Sequence, residues 1–412
     1  MVPGMRNSSK LVIVGGCGHV GLPLGIVFAN CGVNVVLLDI DQEKISKVNS
    51  GCIPFMEKNA EMQLRAVIGK TLTATADCSC LRTADTAIAV VGTPVDEHLN
   101  PTVTELYRSI DAIIDLLPEG ALLVLRSTVY PGVTKLVYDR VQSRGCHIHV
   151  AFCPERIAEG KALEEISALP QIISAFEPDA LQRARELFAT VNSELIELSP
   201  LEAELAKLFT NSWRYLNFAI SNQYYVIAES FGLDFYRIYD AITRHYPRMK
   251  SFARAGFAAG PCLLKDTLQL STFFGNNFFL GHAAMLINEG LPNFIVSRLR
   301  QSGLGDKTVA ILGMAFKSDS DDKRESLSYK LRKLLALETK EVLCADPYVP
   351  DKDFLPAEEA VRRADIIIFG APHSVYNSLL IPPGKQVVDV WGFWQEQRSA
   401  EPVATTAGHR AS

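Results

Sequence analysis

No uninterrupted apolar run in this sequence reaches the roughly 18 residues that a membrane-spanning helix needs, although 48% of its residues are hydrophobic. Nor does a basic block run along it: 41 lysines and arginines face 46 acidic residues, for a formal charge of −5. A chain without a cationic stripe has little with which to neutralise a phosphate backbone or an anionic bilayer. Neither nucleic acid nor a membrane surface is therefore expected as a partner. The first residues lack the apolar core and cleavage site of a secretory signal, so a cytoplasmic location is expected. The nine cysteines form no framework. Cys78 and Cys80 lie two apart, which is not zinc spacing, and no His/Cys cluster accompanies them, so no metal site is expected and reduced thiols are.

What is present fits a soluble globular class of ordinary composition, with 21% charged residues. At 412 residues the chain exceeds the usual single domain. Lys10–Val14 is a short apolar run. Gly15-Gly16-Cys17-Gly18-His19-Val20-Gly21 then opens a helical pattern through Asn30, and a second apolar run, Val35–Leu38, ends in Asp39. Strand, glycine turn, helix, strand and acid in this order predict a dinucleotide site. Gly16 permits the turn, Gly18 lets a pyrophosphate approach the backbone, and Gly21 lets helix and strand pack closely. Asp39 stands where an acid binds the ribose hydroxyls, and it would repel a 2′-phosphate, so NAD is favoured over NADP. His19 and Val20 belong to the same turn and count as cofactor contacts, with no catalytic role for His19. Further strands end in Gly92-Thr93-Pro94 and in Arg126-Ser127-Thr128, and strand carboxyl ends are where ligands sit in open α/β sheets. His149–Cys153 ends in Pro154-Glu155-Arg156-Ile157-Ala158-Glu159-Gly160, which carries two carboxylates and a guanidinium.

Ser199-Pro200-Leu201-Glu202 combines a capping box with proline at the first helical position. The helical pattern continues to Phe231, with Gly232 as its stop. A helix of roughly 45–50 Å is too long for one small domain, so it is expected to bridge domains or to pair with its own copy in a homodimer through residues 199–232. Lys207, Asn211 and Arg214 fall on one face at i, i+4 and i+7. The density of apolar neighbours (Leu208, Phe209, Trp213, Leu216 and Phe218) predicts a largely buried helix. From Lys307 the first pattern restarts. Thr308–Leu312 with Gly313 echoes Leu11–Val14 with Gly15, and Val342–Ala345 with Asp346 echoes Val35–Leu38 with Asp39. The fold class expected is α/β, with two doubly wound, Rossmann-like domains joined by a long central helix and a helical middle domain. The boundaries expected are 1–198, 199–302 and 303–399, with 400–412 a disordered tail.

The stretch Gly256 to Asp266 is too irregular for a helix interior and predicts a backbone-exposed loop around Cys262. Lys265 would favour a thiolate there, and Asp266 would steer or accept a proton. Alone, such a loop also fits an ordinary buried cysteine.

Taken together and in this order, the motifs resemble the UDP-glucose/GDP-mannose dehydrogenase family over nearly the whole chain. The resemblance rests on Gly16–Gly25, Gly92-Thr93-Pro94, Ser127–Gly132, Pro154–Gly160, and Ala203, Glu204, Lys207 and Asn211 on the long helix. It rests also on the glycine-rich loop ending in Cys262 and Asp266, on Gly313–Ser326 and on Ala345–Tyr348. The resemblance implies a four-electron oxidation of a nucleotide-sugar C6 hydroxyl to a carboxylate with two NAD. The product would be a UDP-uronic acid for surface polysaccharides or glycoconjugates. It implies Cys262 as nucleophile, Lys207 and Asn211 as oxyanion stabilisers, and Asp266 with Thr128 and ordered water managing protons. Glu155 would assist thioester hydrolysis. Cofactor contacts would extend to Ser127, Thr128, Glu159 and Lys265. Substrate contacts would include Glu155, Arg156, Ile157, Lys207, Asn211, Arg214, Arg254, Phe257, Gly260, Lys317 and Arg324.

The Pro-Glu-Arg-Ile run resembles the branch acting on UDP-N-acetylhexosamines, whereas the UDP-glucose branch more often shows Pro-Glu-Phe-Leu. One departure stands out: Ala259-Gly260-Pro261-Cys262 replaces the Gly-Gly-His-Cys or Gly-Gly-Ser-Cys of many members. Pro261 removes an N–H and fixes φ before the nucleophile. Two other readings stay open on the residues alone. One is a two-electron hydroxy-acid dehydrogenase of similar layout, which would need no cysteine. The other is a non-catalytic protein that binds NAD or a nucleotide sugar.

Overall fold

The computed structural model describes residues 10–90, 92, 96, 102–257, 260 and 262–394. Thr93, Pro94, Ala259, Pro261 and the expected tail 400–412 lie outside the described residues. Chain contacts divide the molecule into two compact units. The first is Met1–Ser212 with Lys265–Phe278, and the second is Trp213–Leu264 with Phe279–Ser412. The segment 199–302, expected as a middle domain, contributes to both.

The first unit is built on an eight-stranded sheet in the order β3-β2-β1-β4-β5-β6-β7-β8. Its strands are β1 (Lys10–Val14), β2 (Asn34–Leu38), β3 (Leu72–Thr75), β4 (Thr86–Ala89), β5 (Leu122–Leu125), β6 (His149–Phe152), β7 (Gln171–Ala175) and β8 (Leu195–Glu197). β1 to β6 run parallel, and the turnabout comes where β7 meets β6 antiparallel. The central strands are near-continuous apolar runs, as expected of strands covered on both faces. One buried layer forms around Leu11, Ile13, Phe28 and Phe188, the other around Val12, Ile110, Val137 and Phe152. The order 3-2-1-4-5-6 places the topological switch point between β1 and β4, where an open sheet of this kind leaves its ligand crevice.

The second unit carries a four-stranded parallel sheet in the order β10-β9-β11-β12. These strands are Thr308–Leu312 (β9), Glu341–Ala345 (β10), Ile366–Phe369 (β11) and Gln386–Val388 (β12). One face packs under Leu291, Ile295, Leu331 and Tyr225, and the other against Tyr376, Ala360 and Val361.

The long helix spans Pro200–Ser230. Glu202 receives the N–H and the hydroxyl of Ser199, the carboxylate half of a capping box at the N-terminus. At the other end Gly232 turns left-handed (φ 69°), and Leu233 N–H reaches back to Ala228 C=O, as in a Schellman stop. Burial along this helix departs from the expectation. Phe209 and Trp213 are each 55% exposed, and Ile220, Tyr224 and Ile227 are exposed as well. Apolar density alone does not distinguish a face turned to the core from a face left for another chain.

Candidate active site

The dinucleotide turn follows β1. Gly15, not Gly16, is its left-handed residue (φ 76°), and the N–H groups of Gly15 and Gly16 both donate to Leu38 C=O. Gly16 is required by crowding. A Cβ there would lie 2.7 Å from Ile13 C=O and 2.8 Å from Leu37 Cα. At Gly21 it would lie 2.6 Å from Gly15 C=O. Gly18 is different, since the nearest atom to a Cβ would be Gly15 C=O at 3.7 Å, which leaves its outer side open to a ligand. The helix Gly21–Asn30 begins there with no side-chain cap; Leu22 N–H turns back to Gly18 C=O, and the turn ahead of it presents backbone and the positive end of the helix to a phosphate. Half-buried Asp39 accepts Cys17 N–H (2.9 Å) and Asp41 N–H (3.1 Å), one on each oxygen. A carboxylate accepts about four hydrogen bonds, so it retains capacity for ribose hydroxyls. The His19 ring lies tilted against that of Phe55, with centres 4.1 Å apart, and Val20 precedes the helix. These residues fit NAD. Gly92 is exposed, and Ser127 and Thr128 are half-buried at the end of β5.

Beyond β6, Glu155 is fully engaged. Its Oε2 receives Arg126 Nε (3.1 Å) and Nη2 (2.6 Å), and its Oε1 receives the N–H groups of Arg156 and Ile157. Arg126 is fully buried and also donates to Cys153 C=O and Gln171 Oε1. A carboxylate with both oxygens doubly occupied holds a turn in place, and has little left with which to take a proton from water. Half-buried Arg156 is tied to Pro170 C=O, and burial pushes its guanidinium below its ordinary value. Ile157 and Glu159 are half-buried in the same turn. Neither Arg126 nor Gln171 carries a local motif signal, because their partners lie 29 and 45 residues away along the chain.

On the long helix, Lys207 and Asn211 are buried one turn apart, in the first unit with Asp266. Asn211 Nδ2 donates to Asp266 Oδ2 at 2.6 Å, and Asp266 Oδ1 has no hydrogen-bond partner among the described residues. Burial drives the Asp266 carboxyl above its ordinary range, against the charges of Lys265 and Lys207 and the Asn211 hydrogen bond. Lys265 Nζ is 3.9 Å from Asp266 Oδ1. A buried carboxyl with raised affinity for its proton, between two cations and an amide donor, is equipped for acid–base work. Arg214 does not join this face, because it is exposed. Glu204, quoted only as part of a motif, proves to be a bolt. Buried, it receives the N–H of Gly132 and both the N–H and the hydroxyl of Thr134, tying the long helix to the start of the helix Val133–Ser143. One turn after Asp266, Gln269 is wholly buried, with neither amide atom hydrogen-bonded among the described residues.

In the second unit Cys262 is exposed, at the head of the helix Leu263–Phe273. Gly260 is left-handed (φ 99°), and a Cβ there would meet the Phe316 ring at 2.7 Å. The cysteine loop and the Gly313–Ser326 segment therefore touch backbone to ring. Arg254 lies over the rings of Tyr236 (5.1 Å) and Tyr239 (5.6 Å), and Phe257 packs edge-on to Trp391. Half-buried Lys317 lies 5.5 Å from the Phe316 ring centre, and exposed Arg324 is gripped by Asp322 through Nε at 2.9 and 3.0 Å.

Three models of one family match nearly the whole chain. The NAD binding domain of the UDP-glucose/GDP-mannose dehydrogenase family covers residues 9–192, its central domain 201–289 and its UDP binding domain 310–396. The UDP-N-acetyl-D-mannosamine dehydrogenase of Pyrococcus horikoshii is 30% identical over 89% of this chain and 90% of its own length. The NDP-N-acetyl-D-galactosaminuronic acid dehydrogenase of Ralstonia nicotianae is 27% identical over 95% and 98%. Among solved structures, a UDP-glucose dehydrogenase from Pyrobaculum islandicum superposes with a TM-score of 0.87 at 27% identity, covering 96% of this chain and 98% of that one.

Proposed function

The chain belongs to the UDP-glucose/GDP-mannose dehydrogenase family, and from that premise we propose that it oxidises the C6 hydroxyl of a UDP-linked N-acetylhexosamine to the carboxylate. As an NAD-dependent nucleotide-sugar dehydrogenase it uses a cofactor that, when bound, accepts one hydride in each of two successive oxidations. The observation that carries the reading is the buried Lys207–Asn211–Asp266 cluster.

In the first oxidation Asp266, with Thr128 and water, accepts the hydroxyl proton, and the aldehyde oxygen faces the donors of Lys207 and Asn211. The Cys262 thiolate then adds to the aldehyde carbon, forming a C–S bond, and the oxygen takes up a proton. Loss of that proton and of a hydride leaves a thioester on Cys262. Water attacks the acyl carbon, the C–S bond breaks, and the thiolate departs. One alcohol, one water and two NAD become one carboxylate, two NADH and three protons. The sequence motif offers Glu155 for the hydrolytic step. Its four N–H donors instead support a role in holding the Pro154–Gly160 turn, which leaves Asp266 to receive the water proton. Lys317 and Arg324 provide charge for the nucleotide phosphates.

The N-acetylhexosamine is supported by the Pro154-Glu155-Arg156-Ile157 run and by the two sequence relatives above, a UDP-N-acetyl-D-mannosamine dehydrogenase and an NDP-N-acetyl-D-galactosaminuronic acid dehydrogenase. A panel of UDP-N-acetylglucosamine, UDP-N-acetylmannosamine, UDP-N-acetylgalactosamine, UDP-glucose and GDP-mannose, followed by NADH absorbance, tests it. One N-acetylated sugar is expected to exceed UDP-glucose in kcat/KM by an order of magnitude or more, about 1.4 kcal/mol. A preference for UDP-glucose would overturn the assignment. We propose further that Phe209, Trp213, Ile220, Tyr224 and Ile227, exposed along the long helix, are covered by a second copy of the chain. Trp213→Glu should then shift sedimentation from dimer to monomer.

A further inference from the structure

The segment Gly313–Ser326 carries Lys317 and Arg324, yet no regular element holds it between β9 and the helix Leu327–Leu335. Two of its non-glycine residues are left-handed, Asp319 (φ 50°) and Glu325 (φ 53°). Such conformations persist only where surrounding contacts over-determine them. At Asp319 those contacts come from one place. Its N–H donates to His373 Nδ1 at 2.9 Å, and its Oδ1 receives the N–H (2.8 Å) and hydroxyl (3.0 Å) of Ser374.

His373 is itself immobilised. It is fully buried, edge-on to the rings of Tyr348 (5.0 Å) and Tyr376 (5.5 Å), with Nε2 3.1 Å from Asp346 Oδ2. Because Nδ1 accepts an N–H it carries no proton, so the ring proton sits on Nε2 and is donated to Asp346. Asp346 in turn receives the N–H groups of Met314, Ala315, Tyr348 and Val349. The imidazole thus links the strand-end carboxylate to the middle of the loop. That loop also lays Phe316 on Gly260, two residues before Cys262.

We propose that His373 is a positioning residue for nucleotide-sugar binding: through Nδ1 it pins Asp319 and so sets the loop that presents Lys317 and Arg324. The inference rests on the reading of those two side chains as nucleotide contacts. His373 itself touches no substrate.

Two substitutions separate the two ends of the ring. Asparagine places an acceptor near the Nδ1 position and loses the donor to Asp346, whereas glutamine reaches the Nε2 position and loses the acceptor. His373→Gln is expected to raise the Kd for UDP, measured by calorimetry, and the KM for the nucleotide sugar about tenfold, with the KM for NAD unchanged within about twofold. His373→Asn is expected to keep both near wild type. Hydrogen exchange over 313–326 should rise in His373→Gln alone. Equal KM changes for NAD and sugar, or an unchanged UDP Kd in His373→Gln, would overturn the proposal. If His373→Gln yields no folded protein, the wild type decides. Slow exchange of 313–326 without ligand supports the pin, and fast exchange overturns it. A wild type that binds no UDP would overturn this inference together with the reading beneath it, whereas UDP binding that ignores His373→Gln would overturn the inference alone.

Discussion

The turn after β1 and the turn after β9 start from the same plan and end in opposite chemistry. In both, a left-handed glycine follows the strand, Gly15 (φ 76°) or Gly313 (φ 93°), and its N–H donates to the last carbonyl of the neighbouring strand, Leu38 or Ala345. In both, that neighbour ends in an aspartate whose carboxylate receives N–H groups from the turn. Asp39 is half-buried and takes one N–H on each oxygen, so it can still bind hydroxyls. Asp346 has its side chain fully buried and takes two backbone N–H groups on each oxygen, with His373 besides. After the first turn a helix begins at Gly21, whereas after the second none begins until Leu327. One turn offers bare backbone and a free acid to a dinucleotide. The other has consumed its acid internally and offers side-chain charge on an inserted loop. The lesson is that a repeated motif transmits a backbone path, while the ligand is set by which hydrogen bonds remain unspent.

The largest contrast should appear on deleting the two acids. Asp346→Ala strands buried donors and is expected to cost about 3–5 kcal/mol of stability, read from urea unfolding. Asp39→Ala should cost no more than about 1 kcal/mol and instead raise the KM for NAD on the order of tenfold. Equal stability losses would dissolve the distinction between an open and a consumed acid.

The glycines sharpen it within the first turn. Gly16→Ala forces a Cβ to 2.7 Å from Ile13 C=O and should destabilise the apoprotein by about 1–3 kcal/mol. Gly18→Ala meets nothing closer than 3.7 Å, so the apoprotein should melt as wild type while NAD affinity falls. An apoprotein destabilised by Gly18→Ala would show that the open side is not open.

The smallest effect is in pH dependence, and there Asp266 and Asp346 have opposite signs. Burial raises Asp266, so its contribution to stability is fully present below the unfolded value of about 3.9 and is lost as pH rises through the folded value. For Asp346, burial also acts upward. The His373 hydrogen bond, with the N–H groups of Tyr348 and Val349, outweighs it and holds the carboxyl below the ordinary range. Its contribution is therefore present above about 3.9 and is lost as pH falls through the folded value. In urea titrations above pH 4, Asp266→Asn should remove a downward slope. If the slope is unchanged, Asp266 is not the group responsible.

Much of this architecture is legible in the sequence, because the relevant signals are local. The apolar runs match their strands within a residue or two, and the Ser199–Glu202 box and Gly232 mark the ends of the long helix. Lys207 and Asn211, one helical turn apart, are both buried as helical spacing suggests. What is not legible depends on distant partners. Glu155 reads as a catalytic carboxylate until Arg126 is found across two strand ends. Asp346 reads as an echo of Asp39 until His373 arrives 27 residues later. Gly16 looks like the turn residue because three glycines crowd together, and only φ singles out Gly15. The exposed Phe209 and Trp213 look like core because apolar density is silent about which side of a helix meets water.

The central claim is that one chain carries out two oxidations, the second through Cys262. It is tested most directly by counting NADH formed per nucleotide sugar consumed, in wild type and in Cys262→Ser. The account predicts two NADH and a uronic acid for the wild type, and loss of net acid formation in Cys262→Ser. A ratio of one in the wild type, or an unimpaired Cys262→Ser, would contradict it.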